Sequence, residues 1–165
     1  MNEKTIRTLG WMAIVGGVLN MVGDLFILSQ PIYTEGEGLK VLAIMPVDYV
    51  RTGVIIGLFA LTSWLLVLPS LSAGLVRASV IERWVAMASF TLFVTASATF
   101  HSLYWPFTVT IQAMVGTESY DLIVTNLEGV LTFFQIVIIV SLLVLTIDLA
   151  STVIRLFNTA FTSSS

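Results

Sequence analysis

The chain has 165 residues, 57% of them hydrophobic and only 10% charged, with a mean hydropathy of +1.00 and a formal charge of -3. Soluble domains carry about 25% charged residues, so this is the composition of a membrane protein, and the sparse charges form no basic patch interleaved with aromatics that would suit nucleic acid. There is no cysteine, which removes disulfides, thiolate nucleophiles and thiolate metal sites; neither a metal nor a cofactor is expected.

Almost every residue falls in a segment long enough to cross a bilayer, which takes about 20 apolar residues, so a single transmembrane domain over 1–165 is expected. The first segment covers about 8–30 and stops at Pro31, which cannot donate to a continuing helix. Its exception to apolarity is Asp24. Lys4 and Arg7 precede it as in a signal peptide, but no small-residue cleavage site follows and the apolar run continues to Gln30, so a retained helix is expected. A polar loop over 33–40, with Glu35, Gly36, Glu37 and Gly38, is followed by a short apolar stretch, 41–45, expected to lie against the membrane surface.

The second segment covers about 48–76 and is free of charge from Thr52 onward. A short loop over 77–83 joins it to the third, about 84–110, and so brief a connection makes the two antiparallel neighbours. Pro106 removes a backbone hydrogen bond and crowds the carbonyl of Ser102, predicting a bend within one turn of His101. A loop around Gly116, Thr117 and Glu118 leads to the fourth segment, about 120–157. At ~1.5 Å per residue that helix is ~55 Å long against a ~30 Å hydrocarbon core, so it must tilt or project.

The expected fold is therefore all-α: an integral membrane four-helix bundle, antiparallel and up-down. Lys4, Arg7, Arg77, Arg83 and Arg155 fall on one side of this path, and Lys40 and Arg51 on the other. The excess of basic residues marks the cytoplasmic face, so both termini are expected there, with a plasma or inner membrane as the location. Trp11 and Trp84 then lie at the inner interface and Tyr33, Tyr49 and Tyr120 at the outer one.

Polar groups inside the spans are the candidate site. His101 is the only histidine and lies in a stretch, 84–117, without Asp, Glu, Lys or Arg. Asp24 lies about two turns before the outer end of its helix, His101 one to two turns before the outer end of the third, and Arg51 starts the second at that end. Glu128 sits at the outer boundary of the charge-free run 129–147 and comes deeper if the long helix slides; Asp148 sits at the inner boundary. Asp24, His101 and Glu128 are the candidate acid–base residues. Asn20, Arg51, Ser97, Tyr104, Trp105 and Gln135 are the candidate ligand contacts, by helical neighbourhood or depth.

Each has a plain alternative. Asp24 can be a structural hydrogen-bonding group, His101 a satisfied core residue, Arg51 a snorkelling interface residue, and Glu128 and Asp148 interfacial charges at the ends of a span. One imidazole without cysteines is a poor metal site; a single axial histidine suffices for haem, but nothing else in the chain supports one. Gly53 and Gly57 form a G-x-x-x-G pair, and Gly16 and Gly17 lie in the first segment, suited to close helix approach or dimerisation. The layout of four helices with Asp24 in the first resembles the membrane family that includes sterol isomerases, in length and layout alone, with no matching motif and no site or activity carried over.

Three functions compete at this level. One is a protein holding a hydrophobic small molecule or lipid in an outer polar pocket, with acid–base chemistry such as isomerisation, cyclisation or epoxide opening. Another is a transporter or proton relay working as a homo-oligomer. The third is an accessory subunit of a membrane complex. Clustering of the polar groups at one depth, rather than along a transmembrane track, favours the first.

Overall fold

The computed structural model describes residues 3–28, 38–75 and 78–162. The stop at Pro31, the loop residues 33–37 with Tyr33, Arg77 and the tail 163–165 lie outside the described residues. Among those described there are five α-helices and no strand: α1 (Glu3–Leu28), α2 (Val47–Trp64), α3 (Leu68–Gly74), α4 (Val80–Met114) and α5 (Tyr120–Thr162). Four stretches are long and apolar enough to cross a membrane: Lys4–Ile27, Val47–Gly74, Val80–Met114 and Tyr120–Arg155.

Local signals set the ends of several helices. Ser79 opens α4 with a capping box, its hydroxyl accepting from Glu82 N–H at 3.3 Å while the Glu82 carboxylate accepts from Ser79 N–H at 2.8 Å. This starts the helix at Val80 rather than near Trp84. α4 then runs through Pro106 as a single helix to Met114, and Gly116, with φ of 81°, reverses the chain toward α5. α5 extends five residues beyond the expected end near 157, to Thr162.

Two expectations are corrected. The span expected as one helix over 48–76 is α2, a 3-10 turn at Leu65–Val67 and then α3. Pro69, at the start of α3, has no N–H to give the carbonyl four residues back, and the chain tightens into the 3-10 turn just ahead of it.

In the apolar stretch 41–45, expected on the membrane surface, Val41, Leu42 and Met45 are instead core, and Ile44 faces outward. A 3-10 turn, Gly38–Ala43, carries Leu39, Val41 and Leu42 inward, and Leu42 and Met45 are 0% and 1% exposed. Non-helical backbone survives at such a position only if its polar groups find partners inside the protein. Here the Gln112 amide of α4 donates to the carbonyls of Leu42 at 3.0 Å and Met45 at 2.6 Å.

This buried segment closes one end of the bundle. It packs with Ile27 of α1, Val50 and Val54 of α2, Tyr104, Phe107 and Ile111 of α4, and Val124 and Leu131 of α5. A smaller cluster at the other end joins Leu75, Ala86 and Leu145. The outward faces stay apolar, with Leu25, Phe59, Leu92, Phe133 and Ile147 all exposed, as expected of surfaces that meet lipid rather than water.

Candidate functional site

Glycines bring α1, α2 and α4 together. A side chain on Gly23 of α1 would meet the Gly53 carbonyl and the Gly57 nitrogen at 2.9 Å, and one on Gly53 would meet the Gly23 carbonyl at 2.7 Å. The backbones of α1 and α2 are therefore in direct contact. The G-x-x-x-G pair is thus used within the chain, which leaves it no role as an exposed dimerisation stripe. Gly57 serves a second neighbour, because a Cβ there would overlap the imidazole of His101.

His101 is seated in the notch that Gly57 leaves and is 4% exposed. Its Nε2 lies 3.0 Å from the Gly53 carbonyl. A carbonyl only accepts, so Nε2 carries the hydrogen and donates it. The other ring nitrogen, Nδ1, lies 3.4 Å from Oδ1 of Asp24, and the second carboxyl oxygen of Asp24 accepts from the Asn20 amide at 3.2 Å, one turn earlier on α1. With Nε2–H committed, Nδ1 and Oδ1 face each other as two acceptors unless a proton lies between them. One proton between them would leave the pair with zero net charge, whichever partner holds it.

The pair opens onto a cavity of about 270 Å³. Asp24 is its open edge, with 41% of its side chain exposed. Asn20, Ser97 and His101 add to the polar lining, Ile27, Leu61, Trp64, Phe93, Phe100 and Ile138 form the apolar wall, and Tyr104 brings both a ring and a hydroxyl. The aromatic wall is interlocked. The rings of Trp64 and Phe93 stack with centroids 6.0 Å apart, and Phe100 meets Tyr104 edge-on at 5.5 Å. The Trp64 indole N–H donates to the Ala13 carbonyl at 3.2 Å, which fixes that side chain across α1.

Not every candidate residue joins this cluster. Asp24, His101, Asn20, Ser97 and Tyr104 line one cavity, whereas Glu128 and Gln135 line a second recess of about 290 Å³ together with Gly38, Leu39 and Thr132, and Tyr104 borders both. There Glu128 accepts from the Leu39 N–H at 3.1 Å and crowds Gly38, whose φ of 57° and lack of a side chain admit it. Glu128 thus holds the buried 3-10 turn in place. Lys40, on the same turn, pairs with Asp121 at 2.8 Å, and that hydrogen bond and charge raise its pKa above 10.5.

Arg51 also stays out of the cluster, pairing with Asp48 three residues earlier at 2.9 Å, both at the exposed first turn of α2. Trp105 is 40% exposed. The buried stripe of α4 passes through His101, Tyr104, Thr108 and Ile111, which leaves position 105 on its edge. Ile27, Leu61, Trp64, Phe93, Phe100 and Ile138 are wall residues that sequence reasoning missed. The spacing of Phe93, Ser97, Phe100, His101 and Tyr104 along one face of α4 was the signal available for the α4 members. No protein-family model, curated protein or solved structure matches this chain.

Proposed function

We propose that this is a four-helix integral membrane protein that holds a hydrophobic small molecule or lipid in the cavity beside Asp24 and His101, and that the pair carries out acid–base chemistry on it. The observation that carries the reading is the contact of His101 Nδ1 with the Asp24 carboxylate, open on the Asp24 side to a cavity walled mainly by apolar and aromatic groups. In a double-bond isomerisation, the pair would give its proton to one alkene carbon and take one back from the neighbouring allylic carbon, so the protein ends unchanged. Asp24, half-exposed, would be the acid. His101, with both nitrogens engaged, would orient and recharge it.

Antiparallel packing is supported by the α1–α2 contacts: Gly16 lies against Ser63 and Trp64, whereas Gly23 lies against Gly53 and Gly57, so numbers rise on one helix as they fall on the other. The Glu82–Arg155 ion pair joins the start of α4 to the end of α5. Thr8, Trp11 and Leu66 border one groove, which brings the start of α1 to the end of α2. The basic-rich side then faces the cytoplasm, with both termini, and the cavity lies in the outer half of the membrane. Since the chain has no cysteine, a single Glu118→Cys label reports sidedness cleanly: an impermeant maleimide should modify it in intact cells, and protection there until lysis would reverse the orientation.

The functional reading is tested by extracting and weighing the lipids that co-purify with the protein and with its Asp24→Asn and His101→Gln variants. Loss of a bound species in both, with helical content retained, is expected. An unchanged set of bound species in both variants would refute it.

A further inference from the structure

The head group that this cavity accepts is constrained by the hydrogen-bonding atoms left over once the internal bonds are made. His101 Nδ1 is engaged by one oxygen of Asp24, and Nε2–H by the Gly53 carbonyl. What remains toward the cavity is acceptor capacity on Asp24 and Asn20, beside groups that can also donate, among them the Tyr104 hydroxyl. Asp24 keeps lone pairs on its exposed side, and the amide oxygen of Asn20 is buried without a hydrogen-bond partner among the described residues. The Ser97 hydroxyl, also in the wall, can donate or accept.

A ligand completing this set must donate toward Asp24 and Asn20 and can accept from Ser97. An ether or carbonyl only accepts. A carboxylate would place a second anion beside Asp24, and an ammonium would add a charge to a pair that one proton leaves neutral. A hydroxyl both donates and accepts without charge. Size gives the other constraint: an apolar cavity of about 150 Å³ holds benzene, so about 270 Å³ holds roughly two fused rings.

We infer that the ligand is an uncharged hydrophobic alcohol or phenol, seated with its hydroxyl between Asp24, Asn20 and Ser97 and with a body of about two rings' size against Trp64 and Phe93. The inference rests on the reading of this cavity as a ligand site. It is a statement about the head group and so fails separately from that reading.

The test uses four probes with one body: naphthalene-2-methanol, 2-methylnaphthalene, 2-naphthylmethylamine and 2-naphthoate. Each is measured by uptake into nanodiscs carrying the full chain, relative to empty nanodiscs. Two well-made neutral hydrogen bonds predict saturable uptake of the alcohol with a Kd about tenfold or more below that of methylnaphthalene. Ser97→Leu, which fills the cavity and removes its hydroxyl, should abolish that uptake at unchanged helical content. If methylnaphthalene, the amine or the naphthoate binds as tightly as the alcohol, the head-group inference is overturned and the ligand cavity stands. Alcohol uptake that persists in Ser97→Leu puts the alcohol elsewhere and also overturns it. Absence of saturable uptake for all four overturns the ligand-cavity reading itself.

Discussion

Replacing Gly57 by alanine tests whether the His101 ring sits where the polar pair requires it. In an open position on a helix, Gly→Ala stabilises by about 1 kcal/mol, because alanine has less backbone freedom to lose. Gly129 of α5, with nothing within 4 Å of its would-be Cβ, is such a position. At Gly57 the new methyl would overlap the imidazole. The ring must withdraw, which costs about 1–3 kcal/mol in overpacking and about 1–3 kcal/mol more if the buried Nε2–H loses the Gly53 carbonyl. Set against the helix gain, the net loss is about 1–5 kcal/mol, and Gly57→Ala and Gly129→Ala should differ by about 2 kcal/mol or more. Unfolding in mixed micelles followed by circular dichroism measures this. The double variant Gly57→Ala/His101→Ala should recover part of the loss, since the methyl then occupies space the ring vacated. Equal stabilities for the two alanine variants, or strict additivity in the double variant, would show that the ring does not occupy the Gly57 notch.

Because His101 is the only histidine, ¹⁵N-histidine labelling gives an imidazole spectrum from this residue alone. Nε2 should be protonated throughout the range in which the protein is folded, and a spectrum dominated by the tautomer bare at Nε2 would contradict the Gly53 hydrogen bond. Glu128→Ala should destabilise by about 1–3 kcal/mol by leaving the Leu39 N–H unpaired, with proteolysis near 38–45 accelerated; an unchanged cleavage rate would show that Glu128 does not secure the turn. Lys40 offers a pH test. Its folded-state pKa is raised by Asp121, so the pair's contribution is fully present below pH 10.5 and is lost as pH rises through the raised value. Lys40→Met should remove that alkaline limb, and an identical alkaline profile in the variant would exclude the pair as its source. Arg155→Gln, at the partly exposed Glu82 pair, should cost less than about 1 kcal/mol, and a larger loss in chemical unfolding would mark a more buried network than the exposure implies.

The division of labour between sequence and tertiary structure follows from the range of the interactions involved. Spans were legible because crossing hydrocarbon is a property of a continuous stretch: the charge-free runs after Thr52 and Trp84 and before Asp148 mark helices without reference to any neighbour. Asp24 and His101 stood out because ionisable groups are costly inside such runs, and the structure brings these two into contact. Pro69 was also readable as a helix breaker, although a long apolar run masks it. Depth, however, says nothing about the direction a side chain points. Glu128 and Arg51 were drawn toward the same site by their level in the membrane, yet one turns to the Leu39 amide and the other to Asp48. That choice depends on the rotation of each helix about its axis, which is set where backbones touch, at Gly23 against Gly53 and at Gly57 against the imidazole. The burial of Leu42 and Met45 has the same origin, since only the Gln112 amide from a distant helix makes those carbonyls tolerable inside. Sequence alone marked four helices long and apolar enough to cross a membrane, and Asp24, His101 and Glu128 as ionisable groups in or at the edge of them. Only the packing of three glycines decided that Asp24 and His101 meet beside a cavity.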